Sequence, residues 1–147
     1  MESIKMPFHK LRELAKDPNT PVDVLRELVK KSSYWIRSNV ASNPTTPLDI
    51  LRELAKEDNA TVRLYTVRNP NTPLDILRDL AKDESWLVRA NVARHPNASV
   101  NLVVMLFEYE KSLREPDNNV IKALYKNAKL PAFAKRIIET LFGEMLT

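Results

Sequence analysis

Between residues 17 and 94 the order of apolar and polar positions returns every 26 residues. DPNTPVDVLRELVKKSSYWIRSNVAS (17–42), NPTTPLDILRELAKEDNATVRLYTVR (43–68) and NPNTPLDILRDLAKDESWLVRANVAR (69–94) align without a gap, the last two agreeing at fifteen of twenty-six positions. In the middle unit Leu48, Leu51, Leu54 and Ala55 recur at helical spacing and leave Arg52, Glu53 and Lys56 outward. A polar break at Ser33, Asn59 or Ser85 follows, then a second segment of about nine residues holding Ile36-Arg37, Val62-Arg63 or Val88-Arg89. The two segments predict a helix A and a shorter helix B, the latter about two turns long and open to either an α or a 3₁₀ form. Strict alternation is nowhere sustained, so no sheet is expected.

The punctuation of each unit has a physical reading. Asp17-Pro18, Asn43-Pro44 and Asn69-Pro70 stop the preceding helix, because proline restricts the residue before it and cannot donate. Thr20, Thr46 and Thr72 then fall where an N-cap is expected. Pro21, Pro47 and Pro73 follow at the first helical position, and Asp23, Asp49 and Asp75 stand three residues after the threonines, as in an acidic capping box.

The flanks depart from the repeat as terminal units of a stacked array do. FHKLRELAK, before Asp17, reads as a helix A without its helix B. HPNASV opens a degenerate unit whose helix A, through Leu102, Val103, Val104, Met105, Leu106 and Phe107, is apolar nearly all round and predicts deep burial. An insertion of about seven residues around EKSLREPD precedes a helix B over 119–127. A last helix from Pro131 carries a wide apolar face of Phe133, Ile137, Ile138, Leu141, Phe142, Met145 and Leu146, fit to cap the core or to form a homodimer contact. The expectation is one all-α solenoid domain over 1–147: a cap at 1–16, repeats at 17–42, 43–68 and 69–94, a degenerate repeat at 95–127 and a cap at 128–147.

Composition narrows the chemistry. With no cysteine, disulfides, thiolate nucleophiles and Cys-type metal sites are excluded. No run approaches the ~20 apolar residues of a spanning helix, so a soluble, cytoplasmic chain is expected. One glycine against ten prolines hints at thermostability. The two histidines, His9 and His95, accompany no HExxH, GxSxG or phosphate-loop string, and Asp23, Asp49 and Asp75 have capping roles. No enzyme, cofactor or metal is expected.

The string NPNTPLDILRDLAKDESWLVRANVARHPN (69–97) resembles the leucine-rich repeat variant family over residues 7 to about 100. That resemblance implies a right-handed superhelix with a recognition role and no shared catalytic residues. An acidic residue followed by Val-Arg, as Asp83 precedes Val88-Arg89, is more distantly similar to HEAT repeats, in which the Arg and the acid tie neighbouring units together. Glu57 and Asp83 match that acidic position and Lys31 does not, so the implied ladder is incomplete.

Helix A mixes charges, whereas helix B carries only cations: Arg37, then Arg63 and Arg68, then Arg89 and Arg94, then Lys122 and Lys126. Stacked units would align these about 10 Å apart on the concave side. Arg37, Arg63 and Arg89 fit the ladder, and Arg68 and Arg94 sit where helix C-termini favour cations. With Ile36, Val40, Val62, Val88 and Val92 inward, helical spacing sets Trp35, Asn39, Tyr65, Arg68, Asn91 and Arg94 in a row toward the groove. Trp35 and Trp86 fit either that groove or packing between repeats. The leading expectation is a scaffold gripping a protein partner there; the alternative is a nucleic-acid binder using the basic helices. The chain would act as a monomer, or as a homodimer through its last helix.

Overall fold

The computed structural model describes residues 6–147, the side chain of Lys31 apart, so the first five residues of the expected cap lie outside the described residues. Among the described residues there are ten helices and no strand, an all-helical repeat fold. They are α1 (Phe8–Lys16), α2 (Val22–Lys31), α3 (Tyr34–Ser42), α4 (Leu48–Leu54), α5 (Ala60–Arg68), α6 (Leu74–Leu80), α7 (Trp86–Arg94), α8 (Val100–Ser112), α9 (Asn118–Lys126) and α10 (Ala132–Leu146). They form two compact units, one through Thr72 and one from Pro73 onward.

Every helix B is α-helical and nine residues long, against seven for the A helices α4 and α6. Their stability comes from packing rather than from length, since two turns are marginal in isolation. In the first unit α1, α3 and α5 pack side by side over α2 and α4. Leu25, Leu28, Ile36, Val40, Ile50, Leu54 and Val62 fill the core, with Tyr34 and Tyr65 packed against it.

The helix before Asp17 is a B helix, not the A helix its sequence suggested. Starts at Phe8, Tyr34, Ala60 and Trp86 fall 26 residues apart, and α1 packs on α3 as α3 packs on α5. A second correction concerns the threonines. Pro21, Pro47 and Pro73 occupy the N-cap with extended backbone and no side-chain cap bond. The threonine hydroxyls instead donate six residues backward, Thr20 to the Leu14 carbonyl (2.6 Å), Thr46 to Val40 (2.6 Å) and Thr72 to Thr66 (2.5 Å). Each thereby adds a donor to a last-turn carbonyl of the previous B helix, those of Val40 and Thr66 also accepting the Asn43 (3.0 Å) and Asn69 (3.2 Å) N–H groups. Nor does Asp49 close a capping box; it accepts from Arg26 Nη1 at 2.5 Å.

The residue opening each turn also joins units. Asn43 accepts the Thr45 N–H at 3.0 Å, while its amide donates to the carbonyls of Ala15 (2.9 Å) and Asp17 (3.0 Å). Asn69 repeats this, accepting from Asn71 (2.9 Å) and donating to Ala41 (2.7 Å) and Asn43 (2.9 Å). In the second unit Asn127 donates to Ala93 at 2.6 Å. Asp17, which has no amide donor, keeps only the turn half of the pattern, accepting from Asn19 at 2.9 Å.

The second unit packs α7 against α9 and α9 against α10. Leu102, Val103, Leu106 and Phe107 of α8 are buried as expected, whereas Val104 and Met105 are half-buried. From Trp86 to Asn118 the step is 32 residues, six more than the repeat, and the excess enters the thirteen-residue α8 and the loop after it. On α10 only Ala134 and Ile138 are buried; Phe133 and Leu141 stay exposed, and the helix kinks at Phe142. Tyr125 on α9 donates to Glu139 at 2.7 Å, which holds its phenol proton above the ordinary range.

Hydrogen bonding from Arg26 holds the Asp49 carboxyl below its ordinary value, and the same bond raises Arg26. A depressed carboxyl adds its stability above the unfolded value and loses it as pH falls through the folded one. Both groups are exposed, so the effect is best read at the residue. Arg26→Ala moves the Asp49 midpoint up toward the ordinary ~3.9 in an NMR titration; an unmoved midpoint would refute the pairing.

Candidate groove on the B helices

Arg37, Arg63 and Arg89, one on each of α3, α5 and α7, turn back onto the end of the preceding A helix. Arg37 donates to the Ser32 carbonyl at 2.6 Å, Arg63 to Glu57 and Asp58 (both 2.8 Å), and Arg89 to Asp83 (2.8 Å) and Glu84 (3.1 Å). Arg37 and Arg89 also take a carboxylate from the following A helix or its end. Glu57 Oε1 lies 2.8 Å from Arg37 Nε, with an aligned bond from Nη2 to Oε2 at 3.2 Å. Glu110, wholly buried, pairs with Arg89 through Nε (2.9 Å) and Nη2 (3.3 Å), and accepts the Asp117 N–H at 2.6 Å. Sequence spacing located Glu57 but not Glu110, because the insertion lengthens α8. The Asp83 carboxylate accepts the Ser85 N–H at 2.8 Å.

These bonds remove Arg37, Arg63 and Arg89 from the expected basic stripe. On the face left by α1, α3 and α5 lies a groove of about 360 Å³ lined by Phe8, Arg12 and Lys16 of α1, Trp35, Ser38 and Asn39 of α3, and Tyr65 of α5. Trp35 is 52% exposed and stacks obliquely on Tyr34, ring centres 4.8 Å apart. It is therefore not buried between repeats. Trp86, in the second unit, is likewise exposed. The Arg68 guanidinium sits 5.7 Å from the centre of the Tyr65 ring, so the two act as one surface.

Of the six residues expected to form the row, Trp35, Asn39 and Tyr65 line this groove and Arg68 adjoins it through Tyr65. The Asn39 amide donates to its own helix at the Trp35 carbonyl (2.7 Å), which leaves its Oδ1 as an acceptor. Asn91 makes the same bond to Leu87 (2.7 Å) on α7 in the second unit. There Arg94 is exposed and borders a separate hollow of about 450 Å³ with His95, Lys126 and Lys129. Lys129 Nζ is engaged, donating to the carbonyls of Pro96 (3.0 Å) and Ala98 (2.5 Å). His95 is buried, its Nδ1 accepting the Asn97 N–H at 3.0 Å, in the turn position that asparagine holds elsewhere.

Phe8, Arg12 and Lys16 were missed because α1 was assigned to the other helix class. Their signal was arithmetic: subtracting 26 from Ser42 and Arg68 leads through position 42 to Lys16, and subtracting it from Ser38 leads to Arg12. Among the described residues no group of His, Asp and Glu is placed to hold a metal ion, and no helix is long and apolar enough to cross a membrane. In comparisons with known proteins, no family model, curated protein or solved structure matches the chain.

Proposed function

We propose that this helical repeat protein is a non-enzymatic recognition scaffold that holds a segment of a protein partner in the groove of α1, α3 and α5. The observation that carries the reading is three aromatic rings, Phe8, Trp35 and Tyr65, set in one concave face with cations beside them. Exposed tryptophan, tyrosine and arginine are the residues that supply most binding energy at interfaces. A folded chain gains nothing from leaving Trp35 in water, whereas a partner that covers it does. Membership of the leucine-rich repeat variant family is proposed with it, on the 26-residue unit and its Asn-Pro-x-Thr-Pro start. The lack of cysteine suits a reducing cytoplasm.

A nucleic-acid ligand is the second reading, since rings and cations together also suit unstacked bases. It ranks lower because Arg37 and Arg63, which would have extended a phosphate track along α3 and α5, are committed to Glu57 and to backbone carbonyls. To test the first reading, Trp35→Ala and Tyr65→Phe are combined with Arg68→Ala, and partners are captured from lysate. Capture is expected to drop at least tenfold with helical circular dichroism unchanged. Undiminished capture would sink the groove as the binding site.

A further inference from the structure

Resting on that reading, we propose that the segment bound in the groove is acidic: a linear peptide whose carboxylates meet Arg12 and Lys16 while an aromatic or aliphatic side chain inserts among Phe8, Trp35 and Tyr65. Charge complementarity on this surface selects the partner. Arg12 and Lys16 stand four residues apart on α1 and line the groove together; both are exposed, and neither pairs with a carboxylate among the described residues. Arg68 adds positive charge beside Tyr65, and among the described residues no aspartate or glutamate lines the groove.

The contrast with the arginines that the fold pairs is what makes the charge informative. Arg37 and Arg89 each have a carboxylate supplied by the fold, whereas Arg12 and Lys16 face an aromatic-walled hollow without one. Cations in a partly desolvated hollow bind carboxylates more strongly than cations on an open surface, and an arginine can take a carboxylate through two parallel bonds. Asn39 Oδ1 adds an acceptor suited to a peptide N–H. The groove has room for a short stretch of side chains between the rings, the arrangement by which extended peptides are usually read.

A pool of displayed random decapeptides is passed over the immobilised full chain, and fluorescein-labelled synthetic copies of the most enriched sequences are titrated with the full chain and its variants by fluorescence anisotropy. Enrichment of Asp and Glu next to Leu, Phe or Trp is expected. So is at least a tenfold loss of affinity in Arg12→Glu/Lys16→Glu, with copies carrying Lys for Asp and Glu now binding that variant better than the wild type. Both substituted positions are exposed, and circular dichroism checks that the helices persist. Enrichment of neutral or basic sequences, no enrichment, or indifference to the charge reversal overturns the proposal. If Trp35→Ala abolishes binding while charge reversal does not, only the acidic partner falls; if neither matters, the groove reading falls with it. Tighter binding of single-stranded oligo(dT) than of any selected peptide also overturns it.

Discussion

Asn43→Asp lowers the stability of the chain by about 4 kcal/mol at neutral pH, although the two side chains differ by one amino group. Asn43 is 1% exposed, and its amide supplies the bonds to the Ala15 and Asp17 carbonyls. A carboxylate cannot donate, so the buried Ala15 carbonyl loses its donor at about 1–3 kcal/mol, the part-buried Asp17 carbonyl keeps only the Thr20 N–H (3.1 Å), and a charge is set against both. The turn bond from Thr45 survives, since either side chain accepts it, as Asp17 does from Asn19. Burial raises the folded carboxyl above its unfolded ~3.9, so the penalty is absent below that value and grows as pH rises to the folded value. Urea denaturation should therefore show a smaller deficit at pH 4 than at pH 7. An equal deficit at both would mean that the lost carbonyl bonds, not the charge, dominate.

Glu110→Ala costs about 3–5 kcal/mol, because it leaves a buried guanidinium without a counter-charge. Arg89 would keep its bonds to the Asp83 and Glu84 carbonyls, which satisfy donors but do not neutralise the ion. The damage also reaches α9. Glu110 holds the Asp117 N–H, and Asp117 caps α9 by accepting from Asn119 (2.8 Å) and Val120 (3.4 Å). Glu110→Gln, with the same shape and no charge, falls between the two. Arg89→Met/Glu110→Leu recovers only part of the loss, since the carbonyls of Asp83 and Glu84 lose the guanidinium donor and the Asp117 N–H loses its carboxylate acceptor. Arg114→Ala, exposed in the nearby loop, serves as the control and shifts the urea midpoint negligibly. A Glu110→Ala midpoint no lower than that control would refute the role of the buried pair.

Periodicity, turn positions and the inward set of Ile36, Val40, Val62, Val88 and Val92 were legible because they depend on residues close in sequence. What escaped depends on which carbonyl or charge arrives from elsewhere. The hexapeptide LRELAK occurs at 11–16 and at 51–56; the first copy ends the B-type helix α1, and the second runs through the A helix α4 into the turn after it. An amphipathic string specifies a helix with one apolar face and leaves open what covers that face. Asp17-Pro18, directly after the first copy, sets the phase that the hexapeptide cannot. The threonines illustrate the same limit. Thr20, Thr46 and Thr72 have the local context of caps, yet the preceding helix brings a last-turn carbonyl within their reach, and the hydroxyl donates to it. Half of the groove was legible for a related reason: Trp35, Asn39 and Tyr65 follow from helical spacing within a unit, whereas Arg12 and Lys16 require knowing the class of α1.

The asparagine bonds make chain length a quantised property of this architecture. Asn43 and Asn69 each reach carbonyls 26 and 28 residues back. A tandem duplication of residues 43–68 would carry its own Asn, Thr, Glu57 and Arg63 into an array where each finds a partner of the kind it has now. Growth by a fraction of a unit would strand them all. The 32-residue step from α7 to α9 shows where an irregular length is admitted: Asn127 still reaches Ala93, 34 residues back, because the six extra residues went into α8 and its loop. Insertions of this kind fall between one B helix and the next, on the side of the A helices, and leave the B helices themselves at nine residues. Such chains would thus gain or lose B-helix surface in whole steps, while drift in length accumulates on the side of the A helices.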